Sequence, residues 1–230
     1  MNAHAPGLVL QHGVLGPPGL LGEWLAARRI PYVVHEAWAG RLPDPAGFRF
    51  VVSLGSEQSV ASSEPAWIPA ELDAVRAAVA SEVPVLGLCF GGQALSAALG
   101  GGVERLPRCE IGWIAVEPDA GAGADAGRVP PGPWLHWHDD LLLVPPGARL
   151  LARSPAGPAA FGHGPHLGVQ FHPEATPEIV DGWARADERL GDRGVTREEL
   201  AEQAARHAAA ARDAAFGLFD DWWAQGPGAG

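Results

Sequence analysis

Over its first half the chain alternates two patterns. Short apolar runs bounded by Gly, Pro or polar residues are followed by stretches whose apolar residues recur at helical spacing. Leu8-Val9-Leu10 predicts a first strand and Leu20 to Arg28 a helix. Tyr32-Val33-Val34 and Arg49 to Leu54 predict a second and a third strand. Glu71 to Ser81 repeats Leu72, Val75 and Val79 on one helical face. Pro84 to Leu88 is a further apolar run, followed by an Ala/Leu-rich segment, Ala94 to Leu99. Strand–helix alternation of this kind implies an open, mostly parallel sheet with helices on both faces, a three-layer α/β fold.

The middle of the chain changes character. Ile111 to Val116, Trp134 to Trp137, Leu141 to Val144, Leu150 to Ala152 and Ala159 to Phe161 are short and turn-separated, which predicts an antiparallel or mixed extension. Asp119 to Pro133 is rich in Gly, Ala and Pro and reads as a flexible surface loop. Leu167 to Phe171 is one more buried strand. From Pro177 onward the pattern is helical, and Thr196-Arg197-Glu198-Glu199 has the form of a capping box that starts a last helix running to about Trp223. The expected division is one domain over residues 1–190 and a helical extension, 191–230, packed on it.

Composition narrows the class. The 230 residues are 47% hydrophobic and 19% charged, which is the profile of a folded globular chain. No apolar run approaches the length of a membrane span, and the Gly- and Pro-broken start does not read as a signal peptide. Two cysteines, Cys89 and Cys109, make no disulfide framework, so a reducing cytoplasm is the expected location. The net charge of −11 argues against nucleic-acid and anionic-membrane partners. His4, His12, His35, His163, His166 and His207 are scattered without ligand spacing, so neither metal nor other cofactor is expected.

The candidate chemistry begins at Cys89. In Pro84-Val85-Leu86-Gly87-Leu88-Cys89-Phe90-Gly91-Gly92-Gln93 an apolar run meets a glycine-surrounded thiol and then a helix. Gly-x-Cys-x-Gly is the thiol form of a nucleophile elbow, in which a strained strand–helix turn exposes the nucleophile. A helix N-terminus favours thiolate and supplies backbone N–H groups for an oxyanion. The alternative at this point is a buried, inert cysteine. The second half of the site is His172-Pro173-Glu174, directly after the Leu167 to Phe171 strand. An imidazole with a carboxylate two residues on suits a general base and its orienter; a turn His with a solvated Glu is the other reading. Cys89 and His172 both end predicted strands, where open α/β sheets carry their sites.

With those motifs in view, the chain resembles the class I (triad) glutamine amidotransferases, and among them the GMP-synthase-like domains. The resemblance rests on Gly87 to Gln93 and Gly168 to Glu174, with Leu99 to Val103, Glu110 to Trp113, His136 to Asp140 and Val144 to Ala148 in matching order. It covers roughly residues 8–180. It implies the flavodoxin-like fold of that family and a thiol-dependent amide hydrolysis. Cys89 attacks the side-chain amide of glutamine, His172 shuttles the proton, and Glu174 orients His172. The Phe90 N–H is one oxyanion donor, and Gln93, His138, Asp139 and Asp140 lie at substrate-contacting positions.

Two departures stand out. Where the family carries a Gly-Gly-Pro-type loop, this chain has Leu54-Gly55-Ser56-Glu57, so the second oxyanion donor falls to Gly55 and Ser56 in an altered turn. Where His-Gly-Asp is common, this chain has His138-Asp139-Asp140; Asp139 adds either a carboxylate near the pocket or a solvated loop charge. The chain has no P-loop signature and no room for an ATP-using domain. An amidotransferase reading therefore implies a separate synthetase or acceptor subunit as partner. A free-standing hydrolase of γ-glutamyl compounds is the alternative, and a non-catalytic binding module fits the Cys–His–Glu set least. Cys109 is expected to pack as a small apolar residue, and Trp222-Trp223 to cap a core, with an interface as the alternative.

Overall fold

The computed structural model describes residues 5–229; His4 lies outside the described residues. The chain runs β1 (Gly7–Gln11), α1 (Gly19–Ala27), β2 (Tyr32–Glu36), β3 (Val51–Ser53), α2 (Trp67–Ala80), β4 (Val85–Leu88) and α3 (Phe90–Ala98). It continues through β5 (Gly102–Ile114), β6 (Glu117–Pro118), β7 (Trp134–Leu143), β8 (Arg149–Ser154), β9 (Gly157–His163), β10 (His166–Val169), α4 (Pro177–Ala186) and α5 (Arg197–Gln225). One sheet has the order β2-β1-β3-β4-β10-β9-β8-β6. The pairs from β2 to β10 are parallel and those beyond are antiparallel. The expected α/β fold with an antiparallel extension is the observed one.

Alternation along the strands builds the two helical layers. Val9, Val52, Leu86 and Leu88 point to one face, where they meet Leu21, Trp24 and Leu25 of α1 and Leu218, Phe219 and Trp222 of α5. Their neighbours Leu8, Leu10, Val51 and Val85 point to the other, against Val75 and Ala78 of α2 and Leu95 of α3. Strands buried on both faces read as continuous apolar runs, which is why they were visible in the sequence. Helix α5 starts with the expected capping box: Thr196 Oγ1 accepts from the Glu199 N–H at 3.1 Å, and Glu199 accepts from the Thr196 N–H at 2.8 Å. Trp222 is fully buried edge-on to Phe50, 5.5 Å between ring centres. Beyond α3, Gly100 takes a φ of +88° and the Gly101 N–H reaches the Ser96 carbonyl at 2.8 Å, a Schellman ending.

Three local expectations change. Trp134 to Trp137 and Leu141 to Val144 are one strand, β7. The polar residues between them, which look like a turn, stay paired to β5 (His138 opposite Glu110, Asp140 opposite Arg105). Strand β5 itself begins at Gly102, its charged first half having concealed it. The β5–β7 ribbon stands apart from the main sheet and is tied to it where the His172 N–H donates to the Leu135 carbonyl at 2.8 Å. Asp119 to Pro133 carries a 3-10 turn (Ala120–Asp125) with Ala122 and Val129 buried, and Arg153–Asp119, Arg149–Asp125 and Arg128–Asp221 pairs pin it down. It is an ordered flap of the sheet's antiparallel end rather than an open loop.

Candidate active site

Cys89 sits between β4 and α3 with φ 51° and ψ −107°, a left-sided conformation rare for a residue with a Cβ. Such strain costs on the order of 1–3 kcal/mol and persists only where the surroundings enforce it. Here the enforcement is close backbone packing. A Cβ at Gly87 would lie 2.3 Å from the Gly91 carbonyl oxygen, and one at Gly91 would lie 2.0 Å from that of Ser53. One at Gly92 would lie 2.4 Å from the Val169 oxygen. The glycines of the motif are therefore the residues that let α3 start directly over the sheet, with the thiol at its N-terminus.

His172 follows β10, the strand beside β4, so adjacent parallel strands deliver thiol and imidazole to the same sheet edge. The His172 Nδ1 is 2.7 Å from Glu174 Oε1, and Glu174 is 2% exposed. Glu174 is held through its own backbone as well: its carbonyl accepts from the Leu20 N–H at 2.9 Å. His172 makes its other polar contact with the Cys89 side chain. Burial pulls the His172 pKa down, but Glu174 and Cys89 beside it outweigh that and push it up to about 10. The imidazolium therefore persists through neutral pH. The ring also lies edge-to-face on Trp183 of α4 at 4.7 Å, whose indole N–H donates to the Leu15 carbonyl. Gln170, fully buried, aims its amide at the Cys89 sulfur from 3.8 Å and accepts from the Leu142 N–H at 2.7 Å. Gln170 lies inside the Gly168 to Glu174 motif, but its place beside the thiol is visible only in the fold, and Trp183 carries no signal of its own in the sequence.

These groups open onto a cavity of about 590 Å³ whose wall includes Gly55, Ser56, Gln93, His138, Asp139 and Asp140 beside Cys89 and His172. The Phe90 N–H is the first of α3, at the helix N-terminus, while its ring is buried against Trp67 and His12. Gly55 faces the pair directly: a Cβ on it would stand 2.5 Å from His172 Cε1 and 3.7 Å from Cys89 Cβ. Gln93 donates to the Asp140 carbonyl at 2.8 Å, so it anchors β7 at the pocket edge. Asp139 is half-buried and not free. It pairs with Arg193 at 2.7 Å and Arg105 at 3.3 Å, and Arg193 also holds Asp187 at 2.8 Å. Burial works against the Asp139 charge, and those arginines overcome it and hold its carboxyl below the usual range. Asp140 bonds Arg105 at 3.1 Å and accepts from Ser59 Oγ.

Cys109 packs beside that ion-pair network instead of in an apolar nook; burial is the main cause that pushes its thiol up to about 11. The sequence also concealed a buried cluster behind β7. Glu110 Oε2 lies 2.8 Å from His136 Nδ1 and 3.0 Å from His138 Nε2. The same carboxylate accepts from Ser154 Oγ at 2.9 Å and from the Ala156 N–H at 3.0 Å. Burial would raise Glu110, but hydrogen bonds from the two imidazoles outweigh it and hold it well below the usual carboxylate range. Glu110, His136 and His138 are the group, among the described residues, whose spacing would admit a metal ion. Its hydrogen bonds satisfy the carboxylate as it stands, and it braces the β5–β7 ribbon.

A family model described as glutamine amidotransferase class-I matches residues 58–182, a span that holds Cys89, Gln93, His138, His172 and Glu174. The chain belongs to this family. A glutamine-hydrolyzing GMP synthase of Aeropyrum pernix is 35% identical over 163 residues, 67% of this chain and 30% of that protein. One of Stenotrophomonas maltophilia is 32% identical over 168 residues, 66% of this chain and 31% of that protein. The chain thus spans about 30% of the length of these relatives. Among solved structures, a glutamine amido transferase from Methylobacillus flagellatus superposes with a TM-score of 0.87 at 26% identity, over 96% of this chain and 95% of that one. A Thermotoga maritima glutamine amidotransferase shares the fold with a TM-score of 0.84 at 23% identity, over 95% and 98%. The chain shares its α/β fold with these neighbours over nearly its whole length. Among the described residues no helix is long and apolar enough to cross a membrane.

Proposed function

We propose that the protein hydrolyses the side-chain amide of glutamine, or the γ-amide of a larger γ-glutamyl compound, through a γ-glutamyl thioester on Cys89. The observation that carries this reading is the strained Cys89 at the α3 N-terminus, in contact with a His172 whose other nitrogen is locked to buried Glu174. The sulfur attacks the amide carbon as thiolate, and the oxygen takes the charge. The Phe90 N–H and the Gly55–Ser56 segment are placed to receive it, where fixed dipoles outweigh what water offers. His172, carrying its proton, gives it to the departing nitrogen, and ammonia or an amine leaves. The neutral ring then takes a proton from water, whose oxygen attacks the thioester. The tetrahedral adduct collapses, the proton returns to the Cys89–His172 pair, and glutamate is released. Glu174 keeps one tautomer and stabilises the imidazolium. Gln93, His138, Asp139 and Asp140 shape the end of the pocket that holds the amino-acid part of the substrate, with Asp139 restrained by Arg193.

Two roles for the released nitrogen follow. As an ammonia supplier, the chain works with a separate synthetase or acceptor subunit in the cytoplasm, residues 1–190 forming the amidotransferase unit and 191–230 an extension packed on it. As a free-standing hydrolase it acts on γ-glutamyl peptides or amides. The cavity of about 590 Å³ is open to solvent and leaves room beyond one amino acid, so it admits the second as well as the first. The test is release of ammonia or amine from glutamine and a panel of γ-glutamyl amides, with Cys89→Ala and His172→Ala as controls. Release from γ-glutamyl peptides but not glutamine selects the hydrolase, and release only with an added partner selects the supplier. No release from any compound, with Cys89 unlabelled by a glutamine-directed diazo-ketone, refutes both.

A further inference from the structure

Beneath the Gly55–Ser56 turn lies a second buried constellation that the triad does not use. His12, at the end of β1, places Nε2 2.6 Å from Glu71 Oε2 of α2 and Nδ1 3.1 Å from the Gly55 carbonyl oxygen. The other Glu71 oxygen accepts from Ser53 Oγ at 2.5 Å. The His12 ring is stacked on Trp67 at 4.9 Å and touches Phe90 at 5.0 Å. Both side chains of the His12–Glu71 pair are fully buried. Both ring nitrogens face oxygen acceptors, so the ring carries two N–H donors. Burial pulls its pKa down, and the Glu71 carboxylate, then the Gly55 carbonyl, more than restore it.

The consequence lies in one peptide plane. In a trans peptide the N–H of the following residue points opposite to the carbonyl. With the Gly55 oxygen drawn toward His12, the Ser56 N–H points the opposite way within that plane, away from His12. Gly55 and Ser56 both line the cavity, and Gly55 stands against His172 and Cys89 there. The neighbouring groups are also pinned: the Leu54 N–H donates to the Leu10 carbonyl, and the Leu54 carbonyl accepts from the Gly91 N–H, both at 3.1 Å. We propose that His12 and Glu71 are positioning residues, which hold the Gly55 carbonyl and so present the Ser56 N–H as the second oxyanion donor. This rests on the amide-hydrolysis reading above and gives it a physical account of how a Gly-Ser turn keeps one orientation.

The test uses the full chain and the γ-glutamyl substrate that the wild type turns over fastest. His12→Phe retains a ring between Trp67 and Phe90 but removes both donors. It is made together with Glu71→Gln, so that no carboxylate is stranded in the core. His12→Asn, in the same background, returns a donor at the position of Nδ1. Loss of one oxyanion donor costs about 10²–10³ in kcat, and loss of its alignment is expected to cost about ten- to a hundredfold. The His12→Phe variant should therefore lose that much in kcat, while KM and inhibition by glutamate, which binds without a developing oxyanion, stay within about threefold. The Asn variant should recover most of the loss. A folded Phe variant with kcat within about threefold of wild type, or an Asn variant no better than the Phe one, overturns the proposal. So does a loss in which kcat, KM, glutamate inhibition and Tm all move together. If the Phe variant does not fold, Glu71→Gln alone decides: a fall in kcat with KM unchanged supports the positioning role, and an unchanged kcat overturns it. A wild type that turns over nothing overturns the reading of Cys89 and this inference with it; an active wild type with unaffected variants overturns this inference alone.

Discussion

Gly55→Ala is the most economical probe of the site, because the three atoms nearest to the added carbon all belong to His172 and Cys89. An alanine Cβ there would stand 2.5 Å from His172 Cε1, 3.2 Å from His172 Nδ1 and 3.7 Å from Cys89 Cβ. The last contact is ordinary; the first two are not. Relieving 2.5 Å to a normal carbon–carbon separation requires the ring to retreat by roughly 1 Å. The ring has little freedom to do so, being bonded to Glu174 at 2.7 Å and packed on Trp183. The turn cannot yield easily either, since His12 and Gly91 hold it. A displacement of about 1 Å between reacting groups costs on the order of a hundredfold in rate. We expect kcat/KM for amide hydrolysis to fall by about that factor, most of it in kcat. Tm should fall little if the ring shifts within its pocket. The assay is steady-state ammonia or amine release, alongside alkylation of Cys89 by a γ-glutamyl chloroketone. A Gly55→Ala protein that keeps kcat/KM within about threefold of wild type would refute the placement of Gly55 against His172.

Further outcomes follow from the same contacts. His172 holds its proton to about pH 10, a pKa raised above the unfolded value of about 6.5. Its stabilisation is thus fully present below that unfolded value and lost as pH rises through 10. NMR of the ring should show the titration displaced to lower pH in Cys89→Ala, where the side chain that helps Glu174 raise it is gone, and an unchanged titration would contradict the Cys89–His172 contact. Arg193→Ala leaves Asp139 held by Arg105 alone and should raise KM for glutamine about tenfold while kcat changes less; an unchanged KM removes the Arg193 clamp from the account. Trp222→Ala should cost about 3–5 kcal/mol of unfolding free energy by denaturant titration. Trp222→Phe should cost clearly less, because it keeps an aromatic ring in the core while removing, as the alanine change does, an indole N–H that has no partner there. Equal costs for the two would contradict that burial.

Some of this protein is written locally. The Gly87 to Gln93 motif dictates an elbow because only glycine tolerates backbone oxygens at 2.0–2.4 Å from a Cβ position. His172 and Glu174 are two residues apart, so the turn itself makes their bond. The parallel strands are legible as apolar runs, and the Thr196 capping box marks where α5 begins. The concealed parts are those in which polar residues are paired across long sequence separations. His12 and Glu71 lie 59 residues apart and His138 and Glu110 28 apart, so no window contains both members. Strands β5 and β7 read shorter in the sequence than they are for the same reason, since their charged and histidine residues, such as Arg105 with Asp140 and Glu110 with His138, pair across the ribbon.

The sequence alone therefore determined the fold class, the glycine-lined turn at Cys89 and the spacing of His172 and Glu174, because each depends on steric rules acting within a few residues. The tertiary structure alone decided that Asp139 is clamped by Arg193, that Gln93 serves as an anchor of β7, and that the altered Gly55–Ser56 turn is held by His12 and Glu71. Those outcomes depend on which polar groups meet once water is excluded. A buried donor or acceptor takes the partner that packing brings to it, and the sheet order brings together residues that the chain keeps far apart.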